Sequence, residues 1–158
     1  MFVAAFDDEQ RLVGQSALWS LRRMSGQDFE ADAAAWRDWF GAELDWFETE
    51  GARWIQVLED EDPARVIEAA GALSAHALFR HDTARALAPQ LQAKSPTLAI
   101  AIAQVLGELG SPGVAQDLVR VLSADDEGLR KAAWSSLQRL TGKKLPLDPS
   151  AWTIVAQG

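Results

Sequence analysis

Residues 95–122 read SPTLAIAIAQVLGELGSPGVAQDLVRVL. Ser-Pro opens the stretch, apolar residues recur at helical spacing, and a Gly-Ser-Pro-Gly turn separates a longer segment from a shorter one. This predicts two short helices joined by a tight turn. Neither alone has a face wide enough to stand in water, so the pair needs neighbours of its own kind.

The neighbours are in the sequence. Leu73, Leu106 and Leu137 occupy one place in three long helices, 33 and then 31 residues apart. Trp54, Leu87 and Leu118 repeat those intervals in the short helices, and Leu58, Leu91 and Leu122 repeat them again. Three columns sharing one uneven register mark an internal repeat, and stacking the copies buries all three. A second repeat is longer: Leu21-Arg-Arg-Met-Ser-Gly26 matches Leu137-Gln-Arg-Leu-Thr-Gly142, with Asp32 and Trp36 against Asp148 and Trp152, every pair 116 residues apart. In each copy Gly stops a helix, Asp starts the next, and Trp folds back one turn in.

Outward from these repeats, Asp7 with Gln10 is a capping box for a helix to about Met24, its stripe Val13, Ala17, Leu18, Leu21 and Met24. Asp32 caps a helix with Trp36, Trp39, Phe40, Leu44 and Phe47 on one face, which Gly51 should break before a short helix Arg53–Leu58. Asp62-Pro63 begins a helix to about Phe79, with Val66, Ala69, Ala70 and Leu73 inward. Asp82 is the expected cap of the next helix, to about Lys94. Asp125 or Asp126 caps a helix through Leu140, and Asp148-Pro149 begins a last short one.

The predicted fold is all-α, a solenoid (α-α superhelix) of about four helical hairpins and roughly nine helices, forming one domain over 1–158. Residues 1–52 are read as an N-terminal variant repeat or cap, 53–140 as regular repeats and 141–158 as a C-terminal cap.

The helix-pair length, the Asp or Pro starts and the Ala-rich second helices resemble HEAT repeats, notably the short bacterial kind. Asp126, Leu129 and Arg130 match the Asp-Val-Arg pattern of that family, whereas the equivalent places near Pro63 and Pro96 lack the Arg. The resemblance implies an α-superhelix that binds another protein; with no membrane span, signal peptide or catalytic motif read in the sequence, a bacterial cytoplasmic protein with no enzyme activity and no cofactor is expected. Two other activities found among HEAT-like proteins are alternatives. A tetrapyrrole (bilin) lyase would need a groove with clustered Asp and Arg. A DNA-repair glycosylase would need a basic face with an aromatic clamp, for which Trp19 and Arg22-Arg23 are a start that Glu108 opposes.

Composition narrows the classes. There is no Cys, which removes disulfides, thiolate metal sites and cysteine nucleophiles. A formal charge of −8 disfavours a phosphate backbone as partner. No apolar run reaches the ~18 residues of a membrane span, and the N-terminus has no basic region of a signal peptide. His76 and His81 are five apart, not the i, i+4 spacing that joins two imidazoles on one metal. The run Glu59–Asp62 lacks the Gly and spacing of a calcium loop. No nucleophile–base pair or phosphate-binding Gly loop is present.

The candidate partner-binding residues are therefore those on the outward ridge of the long helices. Repeat register places Lys131, Ser135 and Gln138 there, with Ile100, Gln104 and Gly107, then Ile67, Gly71 and Ser74, and Gln15, Trp19 and Arg22 from the first helix. Trp19, Arg22, Ile67, Ile100, Gln104, Lys131 and Ser135 are the expected contacts. The central helix is apolar nearly all round, which fits either burial on both sides or a groove for a partner or a second copy. Trp36, Trp39, Trp54, Trp134 and Trp152 are expected in the core, Trp46 at its edge, and Trp19 outside.

Overall fold

The computed structural model describes residues 11–153 and Val155. The α-helices are α1 Arg11–Ser25, α2 Ala33–Trp46, α3 Ala52–Val57, α4 Pro63–Ser74, α5 Arg80–Leu87, α6 Pro96–Leu109, α7 Ala115–Val121, α8 Glu127–Thr141 and α9 Pro149–Thr153. Among the described residues there is no strand, so the fold is all-helical. The Asp7–Gln10 capping box lies outside the described residues. The chain divides into two compact units, residues 1–52 and 53–158.

In the second unit the long helices α4, α6 and α8 lie side by side, with α6 between the other two. The short helices α5 and α7, with the 3-10 segment Ala88–Gln92, form a second layer against them. The three repeat columns are the core. Leu73, Leu106, Leu137, Leu87 and Leu118 are completely buried, and Leu58, Leu91 and Leu122 nearly so. Trp54 is only half-buried. Asp62, Ser95 and Asp126 cap α4, α6 and α8 by accepting hydrogen bonds from the Ala64, Leu98 and Leu129 amides. Gly110 ends α6 in the left-handed conformation, φ 65°. Across the short-helix layer, the Gln90 side chain donates to the Leu58 carbonyl at 2.6 Å.

The closest approach is between α6 and α8. A Cβ placed on Gly107 would stand 2.5–2.8 Å from three atoms of Ser136, one of them its Cα. No side chain fits there, and both residues are buried. The Ser136 hydroxyl turns down the same line and donates to the Ala103 carbonyl at 2.7 Å. One turn-pair away, Ile100 fills the space beside Gly128, within 2.9 Å of where a Cβ would be.

The 116-residue repeat returns in the glycine conformation and in most of the hydrogen bonds of each unit. Gly26 and Gly142 have φ 72° and 70°. The Ser25 and Thr141 hydroxyls donate to Leu21 and Leu137 carbonyls, each at 2.7 Å, and accept from the amides of Gln27 and Lys143. Trp36 and Trp152 are buried, and each indole donates to the carbonyl six residues before it, Glu30 at 3.0 Å and Pro146 at 2.7 Å. The carbonyls of Phe29 and Leu145 are equivalent but take different donors, the Arg22 guanidinium and the Trp134 indole.

Several boundaries differ from expectation. α4 stops at Ser74 rather than near Phe79, and a separate 3-10 turn, Ala77–Phe79, leads directly into α5. Asp82 therefore lies inside the first turn of α5, paired with Arg85, and caps nothing. Gly51 does not break a helix. Phe47–Gly51 is a π-helical segment that continues into α3, with the Phe47 and Trp46 rings against the missing Gly51 side chain. Trp39 and Trp134 join Trp54 as half-buried rather than core residues. An indole is long enough to bury its ring edge while its other end reaches a carbonyl or water.

Gly107→Ala forces Ser136 away and should destabilise by about 1–3 kcal/mol, despite the better helix propensity of Ala. Gly71→Ala, with nothing within 4 Å of its new Cβ, should instead stabilise by about 0.5–1 kcal/mol. Urea unfolding midpoints with unchanged slope would read both signs. Thr83 is fully buried, and its hydroxyl has no hydrogen-bond partner. Thr83→Val should then be neutral or stabilising by up to about 1 kcal/mol, whereas a clear loss in thermal unfolding would mean that the hydroxyl is bonded.

Candidate interaction surface

The sequence placed the ridge of the long helices along residues i, i+4 and i+7. The structure rotates it by one residue. On α6, Gln104 and Glu108 are exposed and Ile100 half-buried, while Gly107 is buried under Ser136. On α8, Lys131, Ser135 and Arg139 are exposed and Gln138 is half-buried. On α4, Ile67 is half-buried and Gly71 and Ala75 are exposed. The open line in each helix is thus i, i+4, i+8. The expected residue Gly107 leaves it, and Glu108 and Arg139 enter.

The outcome for the central helix lies between the two readings. Leu98, Ala99, Ile102, Ala103, Leu106, Gly107 and Leu109 are buried, so α6 is packed on both flanks. What stays open is the narrow polar line of Gln104 and Glu108. Between α6 and α8 this line borders a cleft of about 330 Å3, lined by Gln104, Glu108, Ala132, Ser135, Ser136 and Arg139. The Gly107–Ser136 approach draws the backbones together beneath it.

The charges on this surface are paired across it and along it. Arg139 on α8 meets Glu108 on α6 at 3.3 Å. These residues are 31 apart, the repeat interval itself, so opposite charges at one register position were a signal available in the sequence. Lys131 meets Glu127 one turn earlier at 2.6 Å. Its hydrogen bond, with its charge, holds the Glu127 carboxyl below the usual carboxylate range. Exposed pairs of this kind contribute little to stability and are easily exchanged for a partner's groups. At the start of α8, Arg130 donates to the carbonyls of Ala124 and Asp125, both at 2.8 Å, and so braces the turn before the Asp126 cap.

Trp19 and Arg22 belong to the first unit. Trp19 is 63% exposed, with the Arg23 guanidinium 5.3 Å from its ring centre. Arg22 is committed to its own loop: it donates to the Phe29 carbonyl and pairs with Asp28 and Glu30 at 3.1 and 3.6 Å.

His81 bonds through Nδ1 to the buried Ser111 hydroxyl at 2.9 Å, tying α5 to the turn after α6. Asp60 accepts from the Asp62 amide and pairs with Arg65, so part of the acidic run serves the start of α4. Among the described residues no group of three or more His, Asp or Glu could hold a metal ion. Among them, too, no helix is long and apolar enough to cross a membrane.

No curated protein and no solved structure matches the chain. A family model does: residues 84–149 match that of HEAT repeats. The match spans α6, α7 and α8 and ends at the start of α9, the part of the chain where the hairpins stack most closely. HEAT repeats commonly act as scaffolds for protein interactions and are typically not catalytic. Residues 84–149, with their stacked hairpins, are thus similar to HEAT repeats.

Proposed function

We propose that this protein is a non-catalytic scaffold that binds another protein on the long-helix ridge of its second unit. The observation that carries this is the cleft between α6 and α8, where Gln104, Ser135 and the Glu108–Arg139 pair stand open above a tightly packed floor. Short side chains leave room for a partner's side chain. The amide, hydroxyl and two charges supply donors and acceptors that fix its orientation. Ile67 on α4 and Ile100 on α6, both half-buried, add apolar contact elsewhere on the ridge, and Lys131 adds a charge that its exposed pairing with Glu127 leaves exchangeable.

The same features argue against chemistry as the main task. A catalytic group is usually tuned by burial or by a close charge in a cleft. Here the polar groups at the mouth, Gln104, Glu108, Ser135 and Arg139, are exposed and the two charges are matched, as suits recognition.

The test fills the cleft. Gln104→Arg/Ser135→Arg replaces two exposed residues, so thermal unfolding should stay close to wild type. Gln92→Arg, exposed on the short-helix layer, is the control. In affinity capture from the source cell, a partner held by wild type and by the control should be lost with the ridge variant. Retention of every partner by the folded ridge variant would contradict the proposal.

A further inference from the structure

The acidity of the chain is concentrated. Residues 1–52 hold eleven acidic and four basic residues, whereas residues 53–158 hold twelve and eleven. The exposed large apolar side chains are concentrated in the same way. Among the described residues, Trp19, Met24, Phe40 and Leu44 are in the first unit and Leu147 alone is in the second. Neighbouring exposed apolar side chains on one helix face are a common mark of an interaction site.

The clearest cluster is on α2. Phe40 and Leu44 are one turn apart on one face and are 44% and 38% exposed. Phe47, one turn further, is half-buried, and Trp36 below Phe40 is closed off by Phe29 and Trp39 at ring distances of 5.2 and 5.9 Å. The stripe thus has a rigid aromatic foot and an open upper end. Around that end stand Glu43, Asp45 and Glu48, with Arg37 as the basic residue on the helix.

An apolar stripe in an acidic field selects its occupant. A second copy of this unit would bring its own excess of negative charge to the contact. Anionic lipid and nucleic acid would be repelled in the same way. We infer that the Phe40–Leu44 face of α2 docks a basic amphipathic helix of a partner protein, its apolar side on the stripe and its Lys or Arg residues against Glu43, Asp45 and Glu48. This is a second surface, separate from the ridge residues of α6 and α8, and it does not depend on the ridge proposal. Helix-on-helix contact of this kind reads as apolar anchors at i and i+4, and charge at its rim sets partner choice and speed of encounter.

The probe is a labelled Leu/Lys amphipathic helical peptide, with a Leu/Glu peptide of the same pattern as control. Fluorescence anisotropy with the full chain should show the Lys peptide binding with a Kd of about 1–100 μM, weakening as salt rises. Phe40→Ser/Leu44→Ser should weaken it by about tenfold or more, with the melting temperature kept because both side chains are already exposed. Asp45→Lys/Glu48→Lys should weaken the Lys peptide and admit the Glu peptide. The inference is overturned if the Lys peptide does not bind, or if it binds the Ser variant as tightly as wild type. It is also overturned if sedimentation shows a dimer that the Ser variant abolishes, or if the face binds anionic vesicles.

Discussion

The contact between Gly107 and Ser136 constrains more of the second unit than any other. With a side chain at position 107, α8 could not lie where it does, because the would-be Cβ falls 2.5–2.8 Å from the Oγ, Cβ and Cα of Ser136. With the glycine, Ser136 comes close enough to give its hydroxyl to the Ala103 carbonyl, so a buried polar group is satisfied by the same approach that brings the helices together. The rotation of α8 against α6 is then fixed. Leu106 and Leu137 are completely buried, and the residues that remain outside are Gln104, Glu108, Ser135 and Arg139. The surface proposed for binding is a consequence of a packing event on its inner side.

Much of the architecture was legible because repeats print their register in the sequence. The Leu columns at intervals of 33 and 31, the Asp, Ser and Pro starts, and the duplicated Gly-Asp-Trp corner all follow from rules acting within a turn or two of chain. What was not legible depended on neighbours. Gly107 looked outward because its register partners, Ser74 and Gln138, are polar or open. The serine that buries it comes from a helix nearly thirty residues away. Asp82 looked like a cap because the 3-10 turn that starts α5 earlier carries no distinctive residue. Gly51 looked like a break because its helical role, making room for Phe47 and Trp46, is visible only in space.

The two units divide the physical properties of the chain. The second is built from matched charges and continuous columns, and its open line is narrow and polar. The first is acidic, and its aromatic residues are half open: Trp36 is sealed while Phe40 and Trp19 are not. A stacked repeat gains stability from each neighbour interface, so a helix flanked on both sides should be held more firmly than one with few packed neighbours. In this structure α6 has such flanks, and α1 makes no extensive contact with another helix among the described residues.

That difference can be read directly by native-state amide hydrogen exchange across the chain. The central claim is that α6, closed between α4 and α8, is the structural centre. Its amides from Ile102 to Leu106 should then exchange only through global unfolding, with the same denaturant dependence as unfolding itself, while those of α1 exchange by local opening at lower free energy. If the α6 amides exchange as fast as those of α1, with no dependence on denaturant, the helix is not locked by its neighbours and the account of the ridge built on it is contradicted.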